Sequence, residues 1–141
     1  MERMTDAQWR AFLVASPRTA KLATIRADGR PHIAPVWFAL DGTDVMFNTG
    51  ADTVKGRNLR RDPRVSLCVD DPADLYSYVA VDATVTITED PAELLHWATV
   101  IGGRYMGAAH AEEFGARNGV PGELLVRATP TNVVGFTGIS D

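Results

Sequence analysis

Short apolar runs, each closed by a turn-forming pair, constrain this chain more than any other feature. Asp28-Gly29 separates a run at 19–26 from one at 32–40, and Asp41-Gly42 separates that one from 45–49. An Asp-Gly pair between apolar runs marks a tight antiparallel hairpin. Asp62-Pro63 precedes a further run at 65–69, and a long stretch rich in branched and aromatic residues follows at 76–88. Two more strands are predicted at 124–128 and 132–136, divided at Pro130, which cannot donate to a ladder. Strands do not alternate with helices and no Gly-x-Gly-x-x-Gly run is present, which excludes a Rossmann unit. The expected fold is mainly β within the α+β class: a six- to seven-stranded antiparallel barrel, closed on itself, with peripheral helices.

The helices have their own signals. Trp9, Phe12 and Leu13 recur at helical spacing behind the capping residues Thr5-Asp6, predicting a helix over 6–15 that stops before Pro17. Residues 55–61 have the composition of one or two helical turns. Asp90-Pro91 opens a third helix with Leu94, Leu95, Ala98 and Ile101 on one face, and Gly102-Gly103 is expected to end or bend it. A further helical piece covers 108–117. The chain of 141 residues, 45% hydrophobic, suits one domain over 1–141, within the usual range of roughly 100 to 200 residues.

Charge and cysteine usage narrow the function. A net charge of −4 argues against nonspecific nucleic-acid binding, which rests on neutralising phosphates with Lys and Arg. The first fifteen residues mix charges with Trp9 and form no leader. No stretch reaches the roughly 20 apolar residues of a membrane span. Cys68, the only cysteine, has no disulfide partner and lies in the apolar run 65–69, where a buried strand thiol is expected. A cytoplasmic location follows as the expectation. His32, His96 and His110 are widely spaced, so no metal site is expected.

The chemistry is concentrated between Phe47 and Arg64. Phe47-Asn48-Thr49 ends a strand, 50–54 is a loop, and Lys55, Arg57, Arg60, Arg61 and Arg64 follow, with Asp62 opposing them. A helix start exposes unpaired N–H groups and the positive end of the dipole. Lys55 adds a point charge there, and Arg57 offers a bidentate fork for phosphate oxygens. Gly56 lets the backbone come close. Charge alone fits a solvated basic helix end equally well.

The run 45–49, with Lys55-Gly56, Asn58-Leu59, Asp62-Pro63 and Ser66-Leu67, resembles the pyridoxamine 5'-phosphate oxidase-like, flavin-binding split β-barrel superfamily. More narrowly, Lys55-Gly56-Arg57-Asn58-Leu59-Arg60-Arg61-Asp62-Pro63-Arg64 resembles its deazaflavin branch, whose members use coenzyme F420. Gly29-Arg30-Pro31-His32, Pro35-Val36-Trp37-Phe38, Arg104-Tyr105-Met106-Gly107 and Thr129-Pro130 extend the resemblance over nearly the whole chain. Three departures matter. Val54 stands where the flavin-using oxidases carry an arginine before the loop lysine, which argues against tight FMN binding. The C-terminal stretch also lacks the Arg- and His-rich segment that binds pyridoxal phosphate, which argues against vitamin B6 oxidation. Ala83 stands where the deazaflavin branch often has glycine.

The resemblance implies an F420-dependent reductase moving a hydride between the reduced cofactor and an unsaturated small organic substrate. An FMN-dependent enzyme and a noncatalytic binder of a flavin, deazaflavin or tetrapyrrole are the alternatives. It assigns Lys55, Arg57 and Asn58 to the cofactor phosphate, and Arg60, Arg61 or Arg64 to the acidic tail of a deazaflavin. Val36, Trp37 and Phe38 would form the wall beside the ring, and Asn48 and Thr49 would bond its polar edge or ribityl chain. Trp37 and Phe38 alternate along a strand, so only one of them faces the site. Tyr76, Tyr78, Tyr105 and His32 are the candidate proton donors. A homodimer with the cofactor groove between subunits is also implied, with Trp97 or Tyr105 as possible interface residues.

Overall fold

The computed structural model describes residues 1–140. Its first helix, α1 (Asp6–Val14), begins where the sequence signal places it. Thr5 Oγ1 accepts from Gln8 N at 3.2 Å and Gln8 Oε1 accepts from Thr5 N at 2.8 Å, a reciprocal cap that satisfies two otherwise orphaned donors. Trp9, Phe12 and Leu13 are buried.

The strands are β1 (Glu2–Arg3), β2 (Ala20–Ile25), β3 (Pro31–Val36), β4 (Ala39–Asp41), β5 (Asp44–Gly50), β6 (Arg64–Asp71), β7 (Ser77–Thr88) and β8 (Glu123–Thr137). They form one antiparallel sheet in the order β3-β2-β6-β7-β8-β5-β4, with β1 added to β8. β2–β3, β4–β5 and β6–β7 are hairpins, β2–β6, β5–β8 and β7–β8 pair antiparallel across longer connections, and Leu22, Phe47, Val79, Leu124 and Val126 are fully buried. Each such side chain contributes about 1.5–3 kcal/mol on burial.

The eight-stranded sheet is not closed by hydrogen bonds, as the split β-barrel implied by the resemblance requires, and differs from the closed ring of six or seven strands read from the hairpins alone. Its two edge strands, β3 and β4, are not hydrogen-bonded to each other. They are instead consecutive in the chain: Val36 is the last residue of β3 to pair with β2, and Ala39 the first of β4 to pair with β5. The run expected at 32–40 is therefore two strands, and Trp37-Phe38 bridges the split in the barrel covalently. The opposite correction applies near the C-terminus. β8 runs unbroken through Pro130, because the stretch between Ala128 and Phe136 has β7 on one side and neither β5 nor β1 on the other. Thr131 is accommodated there by a bulge opposite Asp82/Ala83.

Helix α2 (Val54–Arg61) follows β5, and α3 (Pro91–Met106) leads through a short 3-10 turn (Ala108–His110) into α4 (Ala111–Asn118). α3 runs on through Gly102-Gly103 and does not end there. A Cβ on Gly102 would lie 2.6 Å from Phe114 Cβ, and one on Gly115 would lie 2.0 Å from Thr99 Oγ1, so these glycines form the seam along which α3 and α4 touch. Leu95 is 48% exposed, and the buried face of α3 is Leu94, Ala98, Ile101 and Gly102. No described helix is long and apolar enough to cross a membrane. Cys68 is half-buried and burial, with Asp70 nearby, pushes its thiol pKa up, as suits an unreactive thiol.

Candidate functional site

β5 and α2 place the basic segment. Thr53 caps α2, its Oγ1 accepting from Gly56 N at 3.0 Å while it donates to Gly50 O at 2.7 Å. Thr49 Oγ1 lies 3.2 Å from the same hydroxyl, so the strand end and the helix start are one hydrogen-bonded unit. Lys55 is the second residue of the helix, and the first turn holds no acidic residue. A cation beside the positive end of a helix dipole is an unfavourable pairing that a bound anion offsets. Gly56 has a different reason from the one expected: a Cβ there would lie 2.3 Å from Gly50 O, so its glycine admits the preceding loop.

Five of the ten expected residues meet at one cleft. Val36, Trp37, Asn48, Thr49 and Lys55 line a cavity of about 220 Å³ together with Pro35 and Asn118. Trp37 is the member of its pair that reaches the cleft. Its ring stacks on Tyr105 with centroids 4.9 Å apart and planes 3° from parallel. Phe38 is buried in the core, 1% exposed, beneath the Arg104 guanidinium.

The remaining four lie elsewhere. Asn58 is 3% exposed and fully engaged, its Nδ2 donating to Thr24 Oγ1 at 3.0 Å and its Oδ1 accepting from Arg61 Nη2 at 2.7 Å. Arg61 Nη2 also donates to Ile25 O, which ties α2 to β2. Arg57 is exposed and donates to Asp52 O at 2.9 Å. Arg60 pairs with Glu89 at 3.2 Å on the surface, and Arg64 with Asp62 at 2.8 Å. The Arg64 pair holds the Asp62 carboxyl at about 2, well below the ordinary range.

Glu123 and Asn118 were not singled out from the sequence. Glu123 pairs with Gly50 across β5 and β8, and Asn118 O accepts from Asn48 Nδ2 at 3.4 Å. Burial pushes the Glu123 pKa up, against the pull of Asn48 and Lys55, and its Oε2 is buried without a hydrogen-bond partner. The β5–β8 register brings this acid near Asn48 and Lys55, although it lines a neighbouring cavity with Leu94 and Pro121 and not the cleft itself, and a single sequence carries no signal of that register. Among the candidate proton donors, Tyr76 is 54% exposed in a turn, Tyr78 packs against Phe136 and His32 lies on β3. Tyr105 alone touches the cleft wall.

A larger groove, about 560 Å³, lies on the outward face of β2, β6 and β7. Within it Ser66 Oγ donates to Asp82 Oδ1 at 2.7 Å and Thr131 Oγ1 to Asp82 O at 3.1 Å, while Thr24 and Arg64 bond Asn58 and Asp62 outside it. The smaller cleft brings together the Lys55 ammonium, which has no ion pair among the described residues, the Asn48 amide, the Thr49 hydroxyl and an indole wall. No group of three or more metal-ligating side chains occurs among the described residues.

The family profile described as pyridoxamine 5'-phosphate oxidase matches residues 5–135. The chain belongs to this family. The chain is 28% identical to conserved hypothetical protein Rv2991 from Mycobacterium tuberculosis, over 96% of this chain and 86% of that one, with a TM-score of 0.83. It is also 28% identical to an F420 reductase, over 87% of this chain and 94% of that one, with a TM-score of 0.65. The heme storage protein HutZ from Vibrio cholerae shares the fold at 20% identity, over 96% and 98% of the two chains, with a TM-score of 0.73. The pyridoxamine 5'-phosphate oxidase family and its likeness to an F420 reductase agree with the resemblance read from the Lys55 segment.

Proposed function

We propose that this chain is an F420-dependent oxidoreductase acting in the cytoplasm on a small unsaturated organic substrate. The observation that carries the reading is the convergence of Lys55, Asn48 and Thr49 on a cleft walled by Val36 and Trp37. When bound, the reduced cofactor supplies a hydride from its deazaflavin ring carbon. The protein's own contribution is orientation and exclusion of water.

Lys55 supplies a point charge for the phosphate at the start of α2, and the exposed Arg57 is within the same first turns to add its guanidinium. Asn48 and Thr49 offer an amide and a hydroxyl for the ribityl chain or ring edge. Val36 and Trp37 give a flat apolar wall, and Tyr105 covers one face of the indole, so a planar ligand meets its other face or its edge. Arg60, held only by a surface pair with Glu89, is available for an acidic tail. Arg61 and Asn58 act behind the site by fixing α2 on β2. Val54 adds no charge beside Lys55, which favours F420 over FMN.

The cleft is smaller than the roughly 300–1,000 Å³ usual for pockets that enclose a ligand. A second copy of the chain would supply the missing wall. Ile33, 66% exposed on β3 and two residues from the cleft-lining Pro35, is apolar surface that such a copy would cover.

Titration of the purified protein with F420 and with FMN tests this reading. F420 binds more tightly than FMN, and the Lys55→Ala, Arg57→Ala double variant weakens F420 by about 2–4 kcal/mol. Unchanged affinity in that variant sinks the assignment. Stopped-flow oxidation of the bound reduced cofactor by a panel of enones and quinones then separates an enzyme from a carrier.

A further inference from the structure

We propose that Arg104 and Tyr105, at the end of α3, are positioning residues that set the Trp37 ring as the wall of the cleft, and that Tyr105 is not the proton donor. The use of that wall rests on the cofactor reading above, but the positioning itself stands on geometry alone.

Trp37 and Phe38 lie where the sheet gives no support. Neither residue pairs in the β2–β3 ladder or the β4–β5 ladder, so the backbone at the split needs another partner. Tyr105 provides it, its Oη accepting from Phe38 N at 3.2 Å. The same residue holds the neighbouring side chain through the near-parallel stack on Trp37, and Phe114 packs against the indole at a tilt, 6.1 Å away. Arg104 lies over the Phe38 ring at 4.6 Å. Two adjacent residues of α3 thus fix both residues of the bridge.

The pair is itself anchored. Arg104 Nη2 donates to Leu13 O at 2.7 Å and to Ser16 O at 3.0 Å, satisfying carbonyls left open at the end of α1. Tyr105 Oη donates to Arg18 O at 2.7 Å. The end of α1, the bridge and the end of α3 therefore meet at this dipeptide, and the position of Trp37 is set from outside the barrel.

The hydroxyl geometry also removes Tyr105 from acid–base work. A phenol has one proton, and here it is directed to Arg18 O while the oxygen accepts from Phe38. Giving that proton to a substrate would break the tie that holds the bridge. Burial raises the Tyr105 pKa as well, against the Phe38 N–H and the charges of Arg104 and Arg18.

The test is fluorine NMR of protein labelled with 5-fluorotryptophan, which gives one line for each of the three tryptophans, with Trp37 assigned from Trp37→Phe. Tyr105→Leu shifts and broadens the Trp37 line while the Trp9 and Trp97 lines stay, and weakens F420 binding about tenfold. Tyr105→Phe keeps the stack and loses only the hydroxyl's ties to Phe38 N and Arg18 O, so the Trp37 line moves less than in Tyr105→Leu, affinity falls no more than about threefold, and hydride-transfer turnover falls no further than affinity does. An unmoved Trp37 line in Tyr105→Leu overturns the positioning claim. Loss of turnover in Tyr105→Phe at unchanged affinity overturns it too, by making the hydroxyl a proton donor. Should the wild-type protein bind neither F420 nor FMN, the cofactor reading fails by itself, and the Trp37 line still decides the positioning claim with no ligand added.

Discussion

Replacing Asn58 with Ala separates two roles that the sequence alone merges. The motif resemblance assigns Asn58 to a phosphate, whereas the fold buries it at 3% exposure between Thr24 and Arg61. The substitution strands the Thr24 hydroxyl, itself 1% exposed, which costs about 1–3 kcal/mol for an unsatisfied buried group. Arg61 is exposed and keeps Ile25 O as a partner, so its loss is recovered largely from water. The removed volume adds about 1 kcal/mol. A total near 2–4 kcal/mol corresponds to a fall in Tm of about 6–12 °C for a domain of this size. Urea unfolding measures it directly, as a lower midpoint at an unchanged slope. F420 affinity of the folded variant should fall only a few-fold, because α2 loses the Asn58–Thr24 tie to β2 but keeps the Arg61–Ile25 one and Lys55 stays in place. The reasoning is refuted if stability is that of the wild type while cofactor binding is abolished, since Asn58 would then be a ligand and not a tie.

Other perturbations probe other parts of the account. Gly115→Ala forces a methyl to within 2.0 Å of Thr99 Oγ1, and after the roughly 1 kcal/mol helix advantage of Ala the net loss is about 1–2 kcal/mol, read as a Tm lower by about 3–6 °C. Glu123→Gln removes an acid whose folded pKa is raised by burial. Such a group stabilises most below its unfolded pKa and loses that contribution as pH rises through the folded value, so the variant gains stability near pH 7 and the gain vanishes toward pH 4. With solvent screening the gain is about 0.5 kcal/mol, or about 1–2 °C, and a Tm difference that is flat between pH 4 and 8 contradicts it.

The fold was legible wherever local chemistry decides. Asp28-Gly29 and Asp41-Gly42 set hairpins, with Gly29 and Gly42 at φ 87° and 62°, and Thr5 set the start of α1. The errors came where a residue's partner is distant. Gly102-Gly103 reads locally as a helix breaker, and only the packing of α4 against α3 makes it a seam. Pro130 reads as a strand break until the gap between β5 and β1 is known. The site divides the same way. Asn48, Thr49 and Lys55 are close in sequence, and their strand–loop–helix unit was readable. Asn118 reaches the cleft, and Glu123 its neighbourhood, only through the return of α4 and the β5–β8 register, which leave no mark in one sequence, and Tyr105 was readable as a candidate but its place behind Trp37 was not. Whether an arginine in 57–64 faces a ligand or a neighbouring strand depends on where α2 docks, and hence Arg61 and Asn58 were not separable from Lys55 and Arg57.

A crystal structure of the protein grown with F420 tests the central claim most directly. The account predicts the phosphate within hydrogen-bond distance of Lys55 Nζ, the deazaflavin ring against Val36 and Trp37, and a second copy of the chain closing the cleft. A cofactor seated instead in the groove beside Arg64 and Ser66, with Lys55 free in solvent, would contradict it.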